Sequence, residues 1–161
     1  MKKRGPEAMA YPDDLMKDAY HLAGRGGKNP KQSSLRRAAS TAYYAVFHML
    51  IADFVSNWRI PEQRARLGRI FEHRRMAQAP LEYRDKKKPT QAEKELKALI
   101  DKFKQLQNDR YEADYNVGKI WTPIEVKRTL DLADELFGMW RKLRKEKVAE
   151  YHLMSMFGAR H

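Results

Sequence analysis

At 161 residues with no cysteine, the chain has the length for one domain with a sizeable hydrophobic core, and it excludes disulfides and thiolate zinc sites. Its 33 Lys and Arg against 21 Asp and Glu leave a net charge of +12, which favours polyanionic partners, nucleic acid before an anionic membrane surface. The basic start MKKRGPEAMAYPDD is followed by no apolar run, and no stretch approaches the roughly 18 apolar residues of a membrane span, so the expectation is a soluble cytoplasmic protein without membrane association.

Helical periodicity recurs along the chain and strand alternation does not. A first helix is expected over residues 13–23, with Pro12 and Asp13 at its start and Gly24 at its stop, followed by the loop GRGGKNP. The second helix runs from Gln32 or Ser33 to Asn57 and ends before Ile60-Pro61. Its core stripe is Leu35, Ala38, Ala39, Ala42, Tyr43, Val46, Leu50 and Phe54. Arg37, Thr41, Tyr44 and His48 recur at steps of four, three and four, which at about 3.6 residues per turn puts them together off that stripe. Such polar groups beside a core are either a site or satisfied architecture.

Pro61 suits the first turn of a third helix reaching about Arg75, with sparse apolar positions, and residues 77–89 read as a basic irregular connection. Thr90-x-x-Glu93 is a capping box opening a fourth helix with the stripe Leu96, Leu99, Ile100, Phe103 and Leu106. Extending that stripe reaches Arg110 and Asp114, a spacing that suggests an ion pair at the helix end. After a loop containing Gly118, Thr122-x-x-Glu125 opens a fifth helix with Val126, Leu130, Ala133, Leu136 or Phe137, and Trp140 inward. The sum is an all-α, four- to five-helix up-and-down bundle in one domain, its core spanning about 13–147, with 1–12 and the Met-rich 148–161 loosely packed.

The basic excess is uneven. Residues 59–88 hold ten basic and four acidic residues, and 141–147 hold five and one. Lys86, Lys87 and Lys88, with Arg74 and Arg75, form the candidate nucleic-acid-binding patch. Trp58, Tyr83 and Trp121 fall in loops or at helix ends, where they serve either base stacking or as lids on the core. No glycine-rich phosphate loop, His-Glu-x-x-His helix or Cys/His cluster occurs, so no metal or other cofactor is expected.

The remaining chemistry is Arg with His. Metal-free RNA cleavage needs proton transfer at the 2′-hydroxyl and the 5′-oxygen, which suits imidazole, and a cation for the pentavalent phosphate, which suits guanidinium. RARLGRIFEHRR offers both: Arg69 and Arg66 stand four and seven residues before His73, on one helical face.

At these residues the chain resembles the HEPN superfamily (higher eukaryotes and prokaryotes nucleotide-binding domains), and within it an uncharacterised bacterial HEPN-like group. Three segments carry the likeness: RRAASTAYYAVFHML to the hallmark second helix, GRIFEHRRM to a middle segment, and LQNDRYEADYN to the late-helix pattern. The resemblance implies a four- or five-helix bundle, often a homodimer. Active members are metal-independent endoribonucleases that bring an Arg and a His, with four to six residues between them, to the dimer interface, a spacing that Arg66, with six residues between it and His73, meets by number. Others have lost that motif and serve as adaptors, RNA binders or partners of nucleotidyltransferases. In this chain no His follows Arg110 at that spacing; Asp114 and Tyr115 stand there. The expectation is therefore an RNA-associated domain, either a ribonuclease with His73 as acid and base and Arg69 or Arg66 on the phosphate, supported by His48, Tyr44, Arg37, Arg110 and Asp114, or a non-catalytic domain that binds a partner protein.

Overall fold

A computed structural model of the protein describes residues 6–57 and 88–146. Four helices, and no strand, occur among the described residues: α1 (Pro6–Gly24), α2 (Gln32–Asn57), α3 (Gln91–Tyr115) and α4 (Pro123–Leu143). The fold is an all-α bundle. The expected third helix, 61–75, and the connection 77–87 lie outside the described residues, as do the two chain ends.

The second helix is the spine, because its small residues let three neighbours approach at once. Ala38, Ala39, Ala42 and Ala45 are all fully buried, and α2 packs against α1, α3 and α4. Larger side chains fill the gaps left by the alanines: Tyr43 stacks on Phe47 at 6.0 Å and lies 5.6 Å from Phe103 of α3. Burial extends beyond the expected stripe to Ser40, Ala45, Phe47, Met49 and Asp53, so α2 is buried around most of its circumference rather than along one face. The Phe54 side chain is outside the described set.

The pairing of residues across the helices fixes the up-and-down order. On α1, Tyr11 meets His48 of α2, Asp13 meets Arg141 and Tyr20 donates a short hydrogen bond to Asp134, so α1 runs opposite to both α2 and α4. The N-terminal end of α2 meets the C-terminal end of α3 through Arg36 and Ala113, while its C-terminal end meets that of α4 through Asp53 and Trp140.

Local sequence sets the helix ends. Thr122 accepts from the Glu125 backbone N–H and the Glu125 carboxylate accepts from the Thr122 N–H, closing the expected box with Pro123 in the first turn. That backbone hydrogen bond, with Lys119 nearby, holds the Glu125 carboxyl below its usual range. At α3 the Thr90 hydroxyl accepts from Glu93 N–H. All the expected inward residues of α3 and α4 are buried, and Gly138 does not interrupt α4. The first helix departs from expectation. It begins at Pro6 and carries Pro12 inside it, where Pro12 forgoes one i to i−4 hydrogen bond but is itself buried. Burial against the bundle outweighs the local preference that makes proline a helix opener.

Candidate functional site

The polar stripe off the α2 core is graded in exposure. Arg37 is exposed, while Thr41, Tyr44 and His48 are half-buried. The His48 imidazole meets the Tyr11 ring edge-on at 4.9 Å and Phe47 at 5.6 Å. Burial pushes its pKa below the usual histidine value, favouring the neutral ring. Tyr44 contacts Tyr43 and Phe47 edge-on.

One turn around the helix, α2 meets the late part of α3. The Ser40 hydroxyl donates to Asp114 Oδ2 at 3.1 Å, and the same oxygen lies 3.8 Å from Arg110 Nη1. The Arg110 guanidinium carbon sits 5.2 Å from the Tyr43 ring centre and 5.9 Å from that of Tyr115. Arg110 is only 13% exposed, so the expected ion pair with Asp114 exists and is largely sheltered. Its Nε has no hydrogen-bond acceptor among the described residues. Burial raises the Tyr43 hydroxyl pKa far above its usual value, and Arg110 opposes that shift without cancelling it.

Two further contacts, absent from sequence reasoning, tie this cluster to the loop 116–122. Arg36 donates from Nη1 to the carbonyls of Ala113 and Asn116, both at 3.0 Å, and from Nη2 to those of Val117, at 3.5 Å, and Lys119. Gln32 pairs with the Trp121 backbone in both directions: its Nε2 donates to the carbonyl at 2.7 Å and its Oε1 accepts from the N–H at 2.9 Å. Arg36 thus satisfies carbonyls that end α3, a task a helix C-terminus leaves open. Trp121 is 2% exposed, which makes it a core lid and removes it as a stacking surface.

At the other end of α2, Asp53 is buried to 1% exposure. Its carboxylate accepts from Trp140 Nε1 at 2.5 Å and lies 3.1 Å from Arg144 Nη2. The sequence signal for this pairing was the only acid of α2, standing one turn after the core residue Leu50.

The residues expected to carry catalysis, His73, Arg69 and Arg66, and the basic positions Arg74, Arg75, Lys86 and Lys87 lie outside the described residues; Lys88 is exposed. Among the described residues, no three His, Asp or Glu side chains gather as metal ligands, and no helix is long and apolar enough to cross a membrane. An open groove of about 500 Å³ between α3 and α4 is lined partly by Asp109, whose two oxygens already accept from Gln105 and Thr129 at 3.0 Å. Arg110, Asp114 and the α2 residues Ser40 and Tyr43 therefore form one joined cluster, with Tyr44 and His48 linked to it through the aromatic contacts of Tyr43 and Phe47. No protein-family model matches the chain, and neither the characterised proteins nor the solved structures compared with it give a match.

Proposed function

We propose that this protein is an RNA-associated domain of the HEPN type. The observation that carries this reading is the meeting of two of the three family-like segments. Ser40 and Tyr43, from the segment resembling the hallmark helix, touch Asp114 and Arg110, from the late segment 67 or more residues away along the chain. The net charge of +12 supports a polyanionic partner.

In its catalytic form the domain is a metal-independent endoribonuclease of a toxin or defence system. The 2′-oxygen bonds to phosphorus as its proton leaves to a base, the bond to the 5′-oxygen breaks, and that oxygen takes a proton. His73 serves the proton transfers and Arg66 or Arg69 holds the phosphate. The described cluster supplies no substitute. Asp114 is occupied by Ser40 and Arg110, and His48 is packed against Tyr11. That occupancy favours a second reading, a non-catalytic adaptor or antitoxin-type partner protein, in which Arg110 is architectural.

Incubating purified protein with a mixed-structure RNA in EDTA, beside His73→Ala and His48→Ala, separates the readings. Cleavage lost in His73→Ala alone supports the ribonuclease. RNA bound but uncut by the wild type supports the adaptor. RNA neither bound nor cut removes the RNA reading altogether.

A further inference from the structure

The loops 25–31 and 116–122 lie at the same end of the bundle, because Gln32 and Arg36, just after the first, hold the backbone of the second. This end is chemically distinct. From Gly24 to Arg37 the chain holds five basic residues and no acid. Arg36 is engaged with carbonyls, but Arg25, Lys28, Lys31 and Arg37 are exposed and have no acidic partner among the described residues. The loop that carries three of them is shaped: Gly26 and Gly27 have φ of +91° and +56°, and a Cβ on Gly26 would meet the Asn29 carbonyl oxygen at 3.0 Å.

On the last turn of α3, beside the carbonyls that Arg36 holds, Tyr111 and Tyr115 are 56% and 62% exposed. Their ring centres are 5.2 Å apart with planes tilted by 50°, and more than half of each residue stays exposed. Large exposed aromatics at the same end of a bundle as exposed cations suit a single nucleic-acid strand: bases stack on rings without sequence preference while phosphates pair with the cations. Resting on the RNA-associated reading above, we infer that this end of the bundle, Arg25, Lys28, Lys31 and Arg37 with Tyr111 and Tyr115, is a binding surface for single-stranded RNA. An apolar protein partner fits it less well, although Val117 and Ile120 are 90% and 76% exposed there, because covering that end would strip water from four exposed charges.

The probe is a fluorescein-labelled 2′-O-methyl oligouridine of roughly 16 nucleotides, which cannot be cleaved by 2′-hydroxyl attack, followed by anisotropy over a salt series with the full chain. Tyr111→Ala with Tyr115→Ala weakens binding at least about tenfold and leaves the salt slope unchanged, since stacking releases no counterions. Arg25→Gln with Lys28→Gln and Lys31→Gln weakens binding and lowers the slope of log affinity on log salt by about 2. The three cationic side chains are exposed, so the thermal melt of the glutamine variant matches the wild type; Tyr115→Ala also removes the ring 5.9 Å from the Arg110 guanidinium, so the tyrosine variant is assayed well below its own melting transition. If both variants bind like the wild type while Lys86→Gln, Lys87→Gln and Lys88→Gln together bind weakly, the surface is overturned and the RNA reading stands. A wild type that binds no RNA overturns both. Unchanged RNA binding with reduced self-association of the tyrosine variant, seen by sedimentation, overturns the surface in favour of a contact between copies of the chain.

Discussion

At the residue scale, polar side chains tie distant parts of the chain together. Arg36 reaches four carbonyls because its planar fork presents several donors at fixed angles, which an ammonium on a flexible stem cannot reproduce. Arg36→Lys keeps the charge but leaves carbonyls at the end of α3 unsatisfied, and a loss of about 2 kcal/mol is expected in urea unfolding. His48 gives a pH signature. Its folded pKa lies below the ordinary value of 6.5, so between the two pKa values the unfolded chain binds more protons than the folded one. Stability is therefore full above the unfolded pKa and declines as pH falls below 6.5. Thermal melts from neutral pH downward should show that decline, and His48→Gln should make it shallower. An undiminished slope in that variant assigns the effect to other groups. Tyr20, which donates to Asp134, has its pKa pushed up to about 12 mainly by that hydrogen bond, so its link between α1 and α4 persists well into alkaline solution.

At the element scale, local sequence rules describe α2, α3 and α4 well and α1 poorly. The two threonine caps and the apolar stripes were legible because capping and periodicity act within a few residues. The start of α1 was misjudged because Pro12 is a helix opener by local rule, whereas the bundle buries it and carries the helix back to Pro6. Gly138 marks a place where α4 keeps a residue that its own helix does not need. A Cβ there would meet nothing within 4 Å, and the position is exposed in a helix interior. Gly138→Ala should raise stability by about 0.5–1 kcal/mol in urea unfolding. Thr122→Ala should lower it by about 1 kcal/mol, through the Glu125 N–H that its hydroxyl satisfies at the start of α4.

At the scale of the whole molecule, the consequence of +12 is electrostatic reach. Association with a polyanion should weaken steeply with salt, and neutralising Lys86, Lys87 and Lys88 together should lower the log–log slope by about 2 for a single strand. A slope identical to that of the wild type would remove those lysines from the interface. The bundle gathers a second set of cations at the end formed by the loops 25–31 and 116–122. The cluster of Ser40, Tyr43, Arg110 and Asp114 lies at the α2–α3 seam near that end.

By itself the sequence determined the helical class, the start of α2, the caps of α3 and α4, and the Arg110–Asp114 pair. Each follows from spacing within one helix, where about 3.6 residues per turn converts sequence distance into a shared face. Only the tertiary structure decided what Arg36, Gln32 and Asp53 do, since their partners stand 77 or more residues away and no local rule links an arginine to a distant helix end. It also decided between the two roles open to Trp121. Stacking surface and core lid share the same sequence signature, and only packing against the bundle makes the ring inaccessible.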